Sequence, residues 1–219
     1  MTENNSDPIK SVAVLGGDMR FGYLANLFAK DGFETYAAAL DDCPVLDESV
    51  QKTGVSEAVE NAGLVILPLP SGKNSPLLAA PLAASPLPLA EVFTSARAGQ
   101  IILGGQLGEK LIAAASLRKI LLVDYLKREE MCILNAIPTC EGALEIALGK
   151  TEHTLFGSRC LVAGYGRLGR LLASMLRDLG ARVAVFARRL PDFAWIKANR
   201  LQPLDKAGLE EKIGKMDII

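Results

Sequence analysis

The sequence predicts an α/β chain carrying two doubly wound parallel-sheet domains. Two observations predict it. Short apolar runs that read as strands alternate along the chain with segments of helical apolar spacing. Twice, a strand-like run enters a glycine turn and leaves it as a helix. Ser11–Leu15 runs into Gly16-Gly17-Asp18, and Ser158–Ala163 runs into Gly164-Tyr165-Gly166-Arg167-Leu168-Gly169.

The first domain is expected over 1–138. After its glycine turn a helix is predicted over Arg20–Lys30, with Leu24, Leu27 and Phe28 inward and Asp31-Gly32 as its stop. Strands are predicted over Glu34–Ala39, Ala62–Leu69, Gln100–Gly105 and Ile120–Tyr125, with a helix over Glu109–Leu117 and irregular chain over 71–88. With Ser11–Leu15 these are five strands, a flavodoxin-like or Rossmann-like domain. Ligands of such sheets sit outside the carboxyl ends of the strands. The Gly16–Arg20 turn and the Pro68-Leu69-Pro70-Ser71-Gly72 loop are two such ends. Asp18 would oppose a pyrophosphate, so the first turn is expected to serve a substrate or the fold, not a dinucleotide.

Pro138 disfavours helix at Ile137. A helix is therefore predicted to begin there, over 139–150, with Thr139 as N-cap, Glu141 in its first turn and Gly149 as its stop. Lying between two α/β domains, it would form a hinge.

The second domain is expected over 151–219. Leu168, Leu171, Leu172, Met175, Leu176 and Leu179 recur at helical spacing behind the second turn, Gly180 stops the helix, and Arg182–Ala187 follows as a strand. This is the βαβ unit of an NAD(P)-binding Rossmann domain, with a task for each glycine. Gly164 makes the tight turn, Gly166 lets a pyrophosphate reach the backbone, and Gly169 lets helix and sheet pack closely. The helix N-terminus supplies free N–H groups and a positive dipole end. An NAD site places an acid at the end of the second strand, for the ribose 2′-hydroxyl. This chain has Arg188 and Arg189 there, two guanidinium groups suited to a 2′-phosphate, so NADP is predicted over NAD. Asp217-Ile218-Ile219 reads as the start of one more strand, so the domain is expected to be incomplete, with the nicotinamide half of the site in a missing part.

The 219 residues are half hydrophobic, with a net charge of −1, which points to no nucleic-acid partner. Cys43, Cys132, Cys140 and Cys160 lack Cys-x-x-Cys spacing and His153 is the single histidine, so no metal site is expected. The prolines at 81, 86 and 88 interrupt the most apolar stretch, Leu77–Ala90, so no membrane span is expected there and the protein reads as soluble.

Laid out this way, the chain resembles the A subunits of dipicolinate synthases along nearly its whole length. The points of resemblance are Gly16-Gly17-Asp18-Met19-Arg20, Arg128-Glu129-Glu130, the run Asn135-Ala136-Ile137-Pro138-Thr139-Cys140-Glu141-Gly142, Thr154-Leu155-Phe156-Gly157-Ser158, and the second glycine turn followed by Ala187-Arg188. Phe21 stands where the family has Gln, and Phe156 where it has His. The resemblance implies NADP-dependent oxidation of a dihydrodipicolinate-level precursor, on a branch of the lysine pathway. It also implies a longer, oligomeric protein, whose partner is a flavoprotein-like B subunit, working in the cytoplasm of the mother cell of a sporulating bacterium. Candidate contacts to a cyclic dicarboxylate are Gly16, Gly17, Asp18, Arg20, Asn135, Thr139 and Glu141. No residue stands out as the catalytic base. Two other readings stay open: a different two-domain NAD(P)-dependent dehydrogenase, for 2-hydroxy acids or amino acids, and a non-catalytic nucleotide-binding subunit.

Overall fold

The computed structural model describes residues 8–71 and 75–219. They fall into two compact units, Met1–Lys127 and Arg128–Ile219.

The first unit is a parallel sheet with helices on both faces. Its strands are β1 (Ser11–Leu15), β2 (Glu34–Ala38), β3 (Gln51–Lys52), β4 (Leu64–Ile66), β5 (Ile101–Gly104) and β6 (Leu121–Asp124), in spatial order β3-β2-β1-β4-β5-β6. The helices are α1 (Met19–Lys30), α2 (Val55–Asn61), α3 (Leu89–Ser95) and α4 (Glu109–Leu117). The run Val12-Ala13-Val14-Leu15 is apolar throughout because β1 is covered on both faces. Ala13 and Leu15 pack with Val65, Val92 and Ile102 on one face, and Val12 and Val14 with Phe21, Ala25 and Ile66 on the other. The sheet has six strands against the five that the sequence predicts. The extra one, β3, is two exposed residues paired to Tyr36 and Ala37, too short and polar to leave a hydrophobic pattern.

The second unit opens with α5 (Glu129–Lys150), followed by β7 (Arg159–Ala163), α6 (Arg167–Asp178), β8 (Arg182–Phe186), α7 (Leu190–Ala198), β9 (Gln202–Leu204) and α8 (Lys206–Lys212). Its parallel sheet runs β7-β8-β9. Beyond α8, Ile218 forms a parallel bridge with Cys160 on β7, and Leu161 N–H donates to the Ile218 carbonyl at 2.9 Å. The expected strand start at 217–219 therefore pairs on the free side of β7.

Helix α5 corrects the helix expected over 139–150 and the domain limit at 138. It runs unbroken through Pro138, Thr139 is not its N-cap, and its first turn holds Glu129 and Glu130 rather than Glu141. An interior proline removes one backbone hydrogen bond and costs about 3 kcal/mol. What holds the helix is a stripe that crosses the proline: Ala136 and Cys140 are buried, and Leu144 and Ala147 pack on the second unit's core. Pro138 itself lies on the exposed side, and Thr139 Oγ1 donates to the Asn135 carbonyl at 3.0 Å. The helix also has the length and apolar composition of a membrane span, outside the 77–90 stretch that is the most apolar by sequence. Its buried residues are Ala136 and Cys140, and it carries the acids Glu141 and Glu145.

Asp217 fastens the returning chain. Its Oδ2 accepts from Arg159 N–H at 2.7 Å, and Arg159 Nη2 donates to Oδ1 at 2.7 Å. The Arg159 guanidinium holds this carboxyl down, at about 2. A lowered carboxyl pKa stabilises the fold fully above its ordinary value of 3.8, and the gain disappears as pH falls through about 2. Asp217→Asn should therefore lower the thermal midpoint at neutral pH, and its difference from wild type should shrink as pH falls from about 4 toward 2. Melting curves of both proteins across that range check it.

Candidate dinucleotide site

The second unit carries a groove of about 770 Å³ at the carboxyl ends of β7 and β8, lined by Gly164, Tyr165, Gly166, Ala187, Arg188 and Asp192 among others. It is built by the glycine turn. Gly164 has φ +121°, a conformation that L side chains rarely adopt, and this swings the chain from β7 toward α6. Gly166 is the N-cap of α6 at φ −81° and ψ −163°, which any residue can adopt. A Cβ there would meet nothing within 4 Å, so the backbone faces open groove. Gly169 is the opposite case, since a Cβ there would run into the carbonyl carbon and oxygen of Gly164. One glycine leaves room for a ligand and another leaves room for the chain. A pyrophosphate lying against the α6 N-terminus fits this arrangement.

The other turn residues serve the protein. Tyr165 lines the groove, yet the residue as a whole is 7% exposed and packs in the second unit's core. The Arg170 guanidinium carbon lies 5.1 Å from the ring centroid, and Arg170 Nε donates to the Tyr165 carbonyl at 3.1 Å. Arg167 forms an ion pair with Glu129 of α5 at 2.8 Å. The Leu168 carbonyl accepts from Cys140 Sγ at 3.6 Å, and the Leu168 side chain is half exposed.

The two strand-end arginines differ. Arg188 is exposed and has no ion pair or hydrogen bond among the described residues. Arg189 grips Asp192, through Nε to Oδ2 at 2.8 Å and Nη2 to Oδ1 at 3.2 Å, and Arg170 Nη2 reaches the same Oδ1 at 3.4 Å. The Arg189 guanidinium holds the Asp192 carboxyl below the usual carboxylate range. Sequence reasoning missed Asp192 and Arg170. Pro191 was the available signal, because proline in a first helical turn marks a helix start and puts Asp192 one turn from Arg189.

The first unit's turn is closed by its own chain. Gly16 N–H donates to the Ala38 carbonyl and Gly17 N–H to the Ala79 carbonyl, so neither amide is available to a ligand, which corrects the expectation for both. Residues 78–80 lie directly over Gly16. Asp18 caps α1 by accepting from Arg20 N–H, and it also takes Arg20 Nε and Nη2, at 2.9 and 2.8 Å. The Arg20 side chain is still 66% exposed. Phe21 is buried behind Gly17, and Phe156 is exposed beside Gly180. In the proline loop, buried Ser71 accepts from Gly105 N–H at 3.0 Å and donates to the Pro68 carbonyl, tying β4 to β5, while Gly72 lies outside the described residues. Tyr125 donates to the Leu67 carbonyl at 3.3 Å, and burial pushes its phenol up to about 12. Of the remaining candidates, Asn135, Thr139 and Glu141 are exposed on α5, in the second unit, whereas the Gly16–Arg20 turn belongs to the first.

Comparison with known proteins agrees with this architecture. Residues 11–126 match the family described as the N-terminal domain of the dipicolinate synthase A subunit. The A subunit of dipicolinate synthase from Bacillus subtilis (strain 168) is 38% identical over 107 residues, which are 49% of this chain and 35% of that protein. The match thus spans about a third of the relative's length. The crystal structure of the dipicolinate synthase A chain from Bacillus subtilis superposes with a TM-score of 0.79 at 26% identity, covering 98% of this chain and 73% of that one. The crystal structure of its counterpart from Bacillus halodurans gives 0.81 at 23% identity, covering 95% and 72%. The family match takes in more than half of the residues, from the first strand through Leu126, and the chain belongs to the family of dipicolinate synthase A subunits.

Proposed function

We propose that this chain is the nucleotide-binding part of an NADP-dependent oxidoreductase subunit that converts a dihydrodipicolinate-level precursor to dipicolinate. The observation that carries the reading is the open space at Gly166 in a chain of this family, at the head of α6 and beside an unpaired arginine. When bound, NADP supplies the hydride acceptor that lets the substrate ring become aromatic. The chain's own residues bind and orient. The turn at Gly164–Gly166 and the first N–H groups of α6 hold the pyrophosphate, and Arg188 meets the 2′-phosphate. The substrate's two carboxylates call for cationic or N–H-rich partners. In the first unit, Arg20 keeps exposed guanidinium surface beyond its grip on Asp18, and we assign it to one of these carboxylates. Thr139 has spent its donor on α5.

The relatives are longer, and their designation as the A component of a synthase implies a second component. We assign that role to a flavoprotein-like B subunit, with the work done in the cytoplasm of a sporulating mother cell. The test is to mix the full-length protein, its partner and the dihydro precursor with each oxidised cofactor, and to follow reduced-nicotinamide absorbance. Precursor-dependent reduction of NADP is expected. Dipicolinate formation at the same rate with no nicotinamide present would overturn the reading.

A further inference from the structure

The end of β8 carries no acid, yet α7 brings one into the groove. Asp192 sits in the first turn of α7, its side chain only 9% exposed. Its cover is Arg189, which lines the groove beside it and whose side chain is 73% exposed. Arg170, from α6, reaches the same acid at a longer 3.4 Å, its own side chain 51% exposed. Arg188, next in the chain, has no such partner among the described residues. A groove that selects NAD shows a carboxylate to the ribose 2′-hydroxyl. This groove contains a carboxylate and covers it.

We propose that Arg189 masks Asp192, and that this mask, with the unpaired Arg188, sets the preference for NADP over NAD. The inference rests on the dinucleotide reading of the groove. With the mask in place the acid's oxygens are occupied. Three guanidinium groups against one carboxylate leave two positive charges at this end of the groove. A 2′-phosphate brings about −1.5 to −2, so the charges match. Without the mask, Asp192 keeps only the Arg170 contact and opens to the groove. There it repels a phosphate and accepts from a ribose hydroxyl, which is the NAD arrangement. Arg189 then acts on specificity through the acid it covers, and Asp192 is the hidden determinant.

The two members of the pair can be separated by a double-mutant cycle. The experiment is calorimetric titration of NADP and NAD into the full chain as wild type, Arg189→Ala, Asp192→Asn and the double variant, at one salt concentration. Arg189→Ala should weaken NADP by about ten- to a hundred-fold, the range for unmasking a like charge, and leave NAD as tight or tighter. Asp192→Asn should bind NADP at least as tightly as wild type. The double variant should return NADP to near the wild-type value, because with no acid to cover the arginine is dispensable. A double variant as weak as Arg189→Ala would mean that Arg189 holds the phosphate itself. Weakened NADP binding by Asp192→Asn would mean that the acid positions Arg189 instead. Either result overturns the proposal. A wild type with no preference for NADP would overturn the underlying cofactor reading and leave the mask without a function. If Arg189→Ala fails to fold, Arg189→Gln keeps a donor to Asp192 without the charge. It should show the same pattern with a smaller drop, again removed by Asp192→Asn.

Discussion

Gly166→Ala should abolish measurable dinucleotide binding while leaving the melting temperature near that of wild type. The backbone at 166 is in an extended conformation open to alanine, and the new methyl group meets no protein atom within 4 Å. The fold therefore has no reason to change. The methyl group stands instead in the space through which a pyrophosphate reaches the N–H groups of α6. A hydrogen bond to a charged group contributes roughly 1.5–3 kcal/mol. Displacing the phosphates from two of them costs about 3–6 kcal/mol, or roughly a hundred- to ten-thousand-fold in affinity. Gly169→Ala is the natural contrast. Its methyl group would collide with the backbone of Gly164, so the helix must shift, at about 1–3 kcal/mol or more of stability. The two variants, measured by melting and by titration, should lose different things: the first its ligand, the second its fold stability along with it. Equal melting losses in both would mean that Gly166 is a packing glycine and that the groove is not a phosphate site.

Arg188→Ala should weaken NADP by about ten- to a hundred-fold and leave NAD nearly unchanged. The magnitude is that of one charge-assisted hydrogen bond, roughly 1.5–3 kcal/mol. The selectivity follows because the contact exists only where there is a 2′-phosphate. Arg188 has no competing ion pair among the described residues, so nothing in the protein has to be broken before it turns to a ligand. The titrations are run at fixed salt, because an exposed phosphate contact is screened. Equal loss for both cofactors would place Arg188 at the pyrophosphate or in the fold.

Much of this arrangement is legible in the residues alone, and the failures have physical causes. β1, α1 and the β7–α6–β8 unit are legible because long apolar periodicity, helix stops and glycine spacing agree there. Pro138 misleads, because a local rule against helix is outweighed by a packed stripe, Ala136, Cys140, Leu144 and Ala147, that only the tertiary structure reveals. The glycines at 16 and 17 mislead in the other direction. Their motif looks like a ligand turn, but residues 78–80, more than sixty positions away, fold over it and take its N–H group. Arg188 and Arg189 are indistinguishable as neighbours in a sequence, and only the turn of α7 hands one of them an acid. The geometry of the glycine turn is legible, because single residues there have single tasks. The candidate site is not legible where a residue's availability depends on a partner from another element.

The most direct measurement is calorimetric titration of the unmodified chain with NADP and with NAD under the same conditions. One site is expected, with NADP bound at least about ten-fold more tightly, the low end for one charge-assisted contact. Absence of binding by either cofactor, or equal binding of both, would contradict an NADP site in this groove.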